Sequence, residues 1–192
     1  MLTRSKQRGV SLIEVMIGII IVSVLLALAA TNYSGWMQNQ QIRTAAESIL
    51  NGIQLTRSEA VKNNGRARFV LCSPASPLDS SWEVLAASAA APAPAASLAC
   101  GAGSDAVAGE TRVQERSGQE GSRFAQVVVT PGGATTITFN SFGRVVDDTP
   151  ITQIDVATPA GDRPLRITVG TGGNTRMCDP SPLLSASDPR HC

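Results

Sequence analysis

Gly9-Val10-Ser11-Leu12-Ile13-Glu14 is the stretch on which the reading of this chain turns. Before it lies a short segment with Arg4, Lys6 and Arg8 and no acid. From Val10 to Ala30 the chain is largely apolar, with Glu14 as its one charge. As a helix those 21 residues would rise about 31 Å, enough to cross the hydrocarbon core of a bilayer. The basic cluster would stay on the cytoplasmic side, so the rest of the chain would face outward. Glu14 is the residue that needs a reason. A carboxylate in lipid is costly, and a plain anchor has no use for it. A secretory signal peptide would also be basic and then apolar, with a small-x-small cut at Ala27-Leu28-Ala29. Its apolar run would be shorter, with no acid near its start.

A glycine, a small-to-apolar residue, a hydroxyl residue, two aliphatics and a glutamate, set at a basic-to-apolar junction, resemble the cleavage motif of type IV prepilins. The resemblance implies removal of residues 1–9 by a prepilin peptidase cutting between Gly9 and Val10. It also implies N-methylation of the new Val10 amine and retention of the apolar helix. In that family the glutamate pairs with the N-terminus of a neighbouring subunit during assembly, a role that falls on Glu14. The spacing suits it, because Val10 and Glu14 lie one helical turn apart on the same face. An amine and a carboxylate neutralise each other in an apolar medium where either alone would be expensive. Glu14 would then set register, as a buried polar residue does in a coiled coil.

No proline occurs between Met1 and Cys72, so the helix is expected to run on past the membrane. Many major pilins carry a proline near the position of Thr31, and its absence here predicts a less kinked helix. Tyr33 and Trp36 fall where an interfacial aromatic belt sits. Ile42, Ala46, Ile49, Ile53 and Ala60 recur at helical spacing, with Gln38, Gln40, Gln41, Arg43, Glu47, Arg57, Glu59 and Lys62 on the other side. Asn63-Asn64-Gly65 is a helix stop, so a helix from Val10 to Asn63 would be about 80 Å long. Short strands follow: 66–72, 82–85, 124–130, 135–139, 151–156, 165–169 and 175–178. Pro131-Gly132-Gly133 predicts a hairpin between the third and fourth of these. The Ala-, Ser- and Pro-rich tract 86–99 reads as a loop broken by Pro92 and Pro94, and the polar, glycine-rich 101–121 as irregular. The fold class is α+β. The expected division is a leader over 1–9, a transmembrane or filament-core helix over 10–36, and a periplasmic head over 37–192.

The four cysteines, Cys72, Cys100, Cys178 and Cys192, form no Cys-x-x-Cys pair, and a single His191 offers little to a zinc site. An even count beyond a membrane segment points to disulfides in an oxidising compartment. Of three pairings, proximity in sequence favours Cys72–Cys100 and Cys178–Cys192, whose loops would contribute about 3–4 and about 3 kcal/mol.

Further along, Thr56-Arg57-Ser58-Glu59-Ala60-Val61-Lys62, Leu71-Cys72, Thr138-Phe139-Asn140-Ser141-Phe142-Gly143-Arg144, Arg176-Met177-Cys178-Asp179-Pro180 and Asp188-Pro189-Arg190-His191-Cys192 are similar to the FimT/GspH family of minor pilins and pseudopilins. Residues 73–123 resemble nothing in it. The resemblance implies a pilin-like fold, one long helix packed on antiparallel sheets, in a single-pass protein of the bacterial inner membrane with its head in the periplasm. It implies a minor type IV pilin that works with other pilin and minor pilin subunits, a prepilin peptidase and an inner-membrane assembly platform. A type II secretion pseudopilin is the alternative, and a DNA-binding minor pilin of natural transformation is another.

In some FimT-like proteins a Gly-Arg-x-Arg motif contacts DNA. Here Gly173-Asn174-Thr175-Arg176 stands in its place, with Asn174 for the first arginine. Arg163, Arg166 and Arg190 are the candidates to join Arg176, but Asp162, Asp179 and Asp188 stand beside them. The chain has a formal net charge of +1, and without residues 1–9 its side chains sum to −2, so no global basic field draws nucleic acid. A solvated strand end is the favoured reading of this segment. No catalysis is expected: a Ser-His-Asp set would rest on His191 at the chain's end, Asp147-Asp148 reads as a turn, and Gly170–Gly173 lacks the lysine of a phosphate loop. Trp82 reads as packing. No cofactor and no metal are expected.

Overall fold

A computed structural model describes residues 10–72, 79–87, 110–185 and 187–192, with the side chains of 27–32 left aside. The leader with Gly9, residues 88–99 of the expected loop, Cys100, and 101–109 of the expected irregular stretch lie outside the described residues.

The chain opens on one continuous helix, α1 (Leu12–Lys62), about 76 Å long at the α-helical rise. Ser11 caps it in extended conformation, its hydroxyl accepting the Glu14 N–H at 3.2 Å. Ser-x-x-Glu at the start of an apolar run is the sequence of a capping box. At the other end the Asn63 N–H donates back to the Glu59 carbonyl and the Asn64 N–H to the Val61 carbonyl, and Asn64 turns left-handed, as the Asn-Asn-Gly stop leads one to expect.

The second half of α1 meets two four-stranded antiparallel sheets. The first contains β1 (Arg66–Leu71), β2 (Trp82–Ala87), β3 (Glu110–Arg116) and β5 (Thr136–Phe139) in the order β3-β2-β1-β5. The second contains β4 (Gln126–Thr130), β6 (Gln153–Ala157), β7 (Leu165–Val169) and β8 (Thr175–Cys178) in the order β4-β6-β7-β8. The helix packs on β1, β2 and β5 of one sheet and on β6, β7 and β8 of the other. Ile42, Ala46, Ile49, Ile53 and Ala60, the face expected from periodicity, are all fully buried, and Ala45 and Thr56 join them. They meet Phe69, Leu71, Val84, Ile137 and Phe139 from the first sheet and Val127, Ile154 and Ile167 from the second, in one core. Each such aliphatic side chain contributes about 1.5–3 kcal/mol on burial. Trp82 is buried against Phe69 at 5.9 Å between ring centroids, and its indole N–H donates to Ser48 at 2.8 Å. It is packing, as expected.

Two expectations are corrected. Pro131-Gly132-Gly133 does not close a hairpin. β4 pairs with β6, β5 pairs with β1, and the turn carries the chain from one sheet to the other. The pairing edge of β5 is taken by β1, from Ala67 opposite Phe139 to Val70 opposite Thr136, with the Leu71 N–H continuing to the Thr135 carbonyl. The crossing leaves Val127 and Ile137 in the one core that the two sheets share. The stretch 101–121 is not irregular throughout, because it contains β3. That strand, Glu-Thr-Arg-Val-Gln-Glu-Arg, is polar and mostly solvated at a sheet edge, so it carries no period-2 apolar pattern. Its ladder to β2 and the Arg112–Glu83 ion pair at 2.9 Å hold it instead.

Polar helix residues do more than face water. The Asn39 side chain donates to Asp162 at 2.8 Å and accepts the Asp162 N–H at 3.1 Å. Gln38 accepts the Ala160 N–H and Gln41 the Phe124 N–H. Asn39 and two positions of the expected solvated face, Gln38 and Gln41, thus clamp the connecting loops onto α1.

Candidate functional site

The first candidate is the free end of α1. Every large apolar side chain from Val10 to Leu26 is 49–79% exposed, so this part of the helix is a cylinder of unpartnered hydrocarbon. An apolar surface of this extent marks a membrane or protein contact. Glu14 stands on it, exposed, at the third helical position behind the Ser11 cap. Its carboxylate is in the first turn, where the helix dipole favours negative charge. Ser11 is a residue whose part was missed in the sequence, although the Ser-x-x-Glu spacing could have shown it. Among the described residues no helix is long and apolar enough to cross a membrane. The expected span 10–30 continues into residues 27–32, whose side chains are outside the description. Tyr33 and Trp36 follow, 56% and 58% exposed, their rings 5.8 Å apart.

The second candidate is the C-terminal loop with its arginines. Cys178 and Cys192 are joined in a disulfide, and Cys72 is disulfide-bonded as well. The expected partner of Cys72, Cys100, lies outside the described residues. The loop is tied down a second time: the Asp179 N–H donates to the Arg190 carbonyl and the Cys192 N–H to the Asp179 carbonyl. Arg176 adds a third tie. Its guanidinium donates to the Pro189 and His191 carbonyls, at 3.0 and 2.9 Å. The arginine at the place of the DNA motif is therefore spent on main-chain carbonyls of its own chain. Arg166 grips Asp155 with two nitrogens, at 2.6 and 3.2 Å. Arg190 pairs with Asp188 at 2.8 Å. Arg190 holds the Asp188 carboxyl down to about 2, through its side-chain hydrogen bond first and its backbone N–H second, and is itself raised by that bond. Arg163 alone of the four makes no hydrogen bond or ion pair with a described residue. The structure gathers Arg163, Arg190 and Arg176 near the C-terminal loop, with three of the four candidate guanidiniums already engaged.

Arg57 joins two of the segments that carry the family resemblance, 56–62 and 138–144. From the last turns of α1 its Nε donates to the Gly143 carbonyl at 3.1 Å. The turn at Gly173, with φ +80°, packs directly over that carbonyl. The segments 56–62, 138–144 and 170–174 thus meet at one junction. Asp147 accepts the Thr138 N–H, so its carboxylate is engaged with the backbone of β5.

The third feature was invisible in the sequence. A groove of about 820 Å³ runs between the Gly35–Arg43 stretch of α1 and the C-terminal loop, and Trp36, Arg43, Asp162, Arg163, Asp179 and Arg190 line it. Among the described residues no group of His, Cys, Asp and Glu could hold a metal ion.

Comparison with known proteins gives two family matches. Residues 45–173, more than half of the chain, match the family described as type II transport protein GspH. Residues 4–30 match the prokaryotic N-terminal methylation motif. No curated protein matches the chain. Among solved structures, two crystal forms of the type IV minor pilin FimU from Pseudomonas aeruginosa strain PAO1 are similar. They are 14% and 15% identical over 70% and 74% of this chain and 90% and 91% of theirs, with TM-scores of 0.48 and 0.51. At that identity the second match shows a shared fold and nothing of function.

Proposed function

From the premise that this chain belongs to the GspH family and opens on a prokaryotic N-terminal methylation motif, we propose that it is a minor type IV pilin. In this reading a prepilin peptidase cuts after Gly9, the Val10 amine is methylated, and α1 anchors the protein in the bacterial inner membrane with residues 37–192 in the periplasm. An inner-membrane platform then moves the helix from lipid into a filament of pilin and minor pilin subunits. The protein acts by assembly rather than by catalysis, and it needs no cofactor.

One observation carries the reading: the unpartnered apolar cylinder from Val10 to Leu26 with a single carboxylate, Glu14, one turn from the new N-terminus. Lipid and the interior of a helical filament both solvate such a surface. Transfer between them is close to neutral for the apolar side chains, because hydrocarbon is exchanged for hydrocarbon. The charged end is what distinguishes the two. In lipid Glu14 is costly. Against the amine of a neighbouring Val10 its charge is compensated, and an incoming helix is held at one axial position.

The family description itself favours a second reading, a pseudopilin of a type II secretion machine. Mass spectrometry of filaments sheared from the native host separates the two. An N-methylated Val10 terminus in the sheared fraction supports the pilus. A Val10 terminus found only in the membrane supports the secretion pseudopilus. A terminus near Ala30 would mean signal-peptide export and overturn both.

A further inference from the structure

The strands β1 and β2 are buried on both faces, whereas an antiparallel sheet commonly leaves one face to water. Ala67, Phe69 and Leu71 of β1 and Trp82, Val84 and Ala86 of β2 lie in the core with α1. The alternate residues Arg68, Val70, Glu83, Leu85 and Ala87 belong to the other face, and none is more than 8% exposed. No described helix or strand packs on that face. The ion pair on it is dry as well. Arg68 meets Glu110 at 2.7 Å with side chains 2% and 3% exposed, although Glu110 opens an edge strand. Charges at a bare sheet edge keep their water, so a pair this dry lies under cover.

The cysteines point to what covers it. Cys72 is disulfide-bonded, and Cys178 and Cys192 are bonded to each other. The chain holds four cysteines, so Cys100 is the one left for Cys72. The strand register then sets a path. Cys72 follows Leu71 at the end of the sheet where Leu71 pairs with Trp82. Ala87 and Glu110 pair with each other at the opposite end, beside Arg66. The two ends are about 20 Å apart at the rise of a strand. A chain that leaves Ala87, meets Cys72 at Cys100 and returns to Glu110 runs the length of the sheet twice. Residues 88–99, twelve of them, and 101–109, nine of them, span up to about 40 and 30 Å, so both legs reach. The core face is closed to them by α1. The other face is open to them, and it is the face whose side chains are buried. Residues 88–99 carry no charge and 101–109 only Asp105, so this stretch can lie on Val70 and Leu85 with little charge to desolvate.

We propose that a Cys72–Cys100 bond holds residues 88–109 across the outer face of the first sheet, over Arg68, Val70, Glu83 and Leu85. A partner on this side of the head then meets residues 88–109 and not the strands. The bond forms by exchange with a protein disulfide of an oxidising compartment: the two thiols give up two electrons and two protons, and the donor disulfide is reduced to its dithiol. Neither the bond nor the cover depends on the chain entering a filament.

The test uses the full chain purified from its native host with free thiols blocked. Denaturing, non-reducing digestion at Arg, Asp and Glu should release a peptide pair joined through Cys72 and Cys100, read by mass spectrometry. Carbodiimide labelling of the native chain reads the cover. Glu115, 53% exposed and paired with the same Arg112 as Glu83, should label, while Glu83 and Glu110 should not. In Cys72→Ser/Cys100→Ser the labelling of Glu83 and Glu110 should rise by about tenfold or more, because the unclosed loop opens more often, with Glu115 unchanged. Cys72 bonded to Cys178, to Cys192 or to a second chain, or found as a thiol, would overturn the pairing. Labelling of Glu83 and Glu110 in the parent as fast as Glu115 would overturn the cover. Protection that persists in the double variant, with Glu115 as before, would overturn the claim that the bond holds the segment down. The two measurements on the parent chain decide pairing and cover even if the double variant does not fold.

Discussion

Gly173→Ala tests the junction that ties helix, turn and sheet together. Gly173 has φ +80°, and a Cβ built on it would lie 2.0 Å from the Gly143 carbonyl oxygen. That oxygen is not free to retreat, because it accepts from Arg57 Nε. The Gly173 turn is pinned as well, by its own N–H to the Gly170 carbonyl and by the Gly170 N–H to the Asn174 carbonyl. A side chain at positive φ costs about 1–2 kcal/mol. Relieving an overpacked contact costs about 1–3 more, and losing the Arg57 bond about 0.5–1.5. The lower chain entropy of alanine in the unfolded state offsets about 0.4–1 kcal/mol. The net expectation is a loss of about 2–6 kcal/mol. Two controls separate the terms. Gly133 has φ +85° with open space around its Cβ, so Gly133→Ala should lose about 1 kcal/mol from backbone strain alone. Gly172 has neither a crowded Cβ nor a left-handed backbone, so Gly172→Ala should stay within about 0.5 kcal/mol of the parent. Urea unfolding of the full chain in micelles, followed by Trp82 emission in a Trp36→Phe background, reads all three. A Gly173→Ala loss no larger than that of Gly133→Ala would refute the claim that the Gly143 carbonyl is held in place.

Three further outcomes follow from named contacts. Glu14→Ala should leave cleavage at Val10 intact but lower the protein in sheared filaments by about tenfold or more, since an unpaired amine buried at the interface costs upward of about 2 kcal/mol; quantitative mass spectrometry of both fractions reads it. Cys192→Ser should remove about 3 kcal/mol of loop closure and expose the 179–192 segment to protease while the rest of the head stays resistant. Asp188 should titrate at about 2 by carboxyl carbon NMR, and Arg190→Ala, which keeps the backbone N–H, should raise it toward its ordinary value. Its folded value lies below the unfolded one, so the stabilisation is present above about pH 4 and is lost as pH falls through the folded value. The contribution of the Asp188–Arg190 pair to stability should therefore not change between pH 6 and 8.

The helix was legible because its signals are local. Ile42, Ala46, Ile49, Ile53 and Ala60 announce their face by spacing, and Asn63-Asn64-Gly65 announces the stop. Most strands were legible for the same reason, at the level of their ranges. The hairpin was misread because a Pro-Gly-Gly turn specifies that the chain bends, not which edge the next strand joins. β3 was missed because its residues bury little, and apolar alternation appears only where one face is buried. At the candidate site, the disulfide Cys178–Cys192 follows from proximity along the chain. The engagement of Arg176 with the Pro189 and His191 carbonyls does not, because it joins residues that the disulfide and the backbone bonds of Asp179 bring together.

What the sequence by itself determined is the polar-to-apolar plan of the chain. It holds a basic start, a hydrocarbon run with one carboxylate, an amphipathic continuation and a strand-rich remainder. Each is written in neighbouring residues and follows from solvation and helical period. What only the tertiary structure decided is which edges pair, which arginines are already spent, and that Trp36, Arg43, Arg163 and Arg190 share one groove. Those outcomes depend on competition among distant partners for the same carbonyl, carboxylate or strand edge. Position along a chain does not encode the winner of that competition; the packed core does.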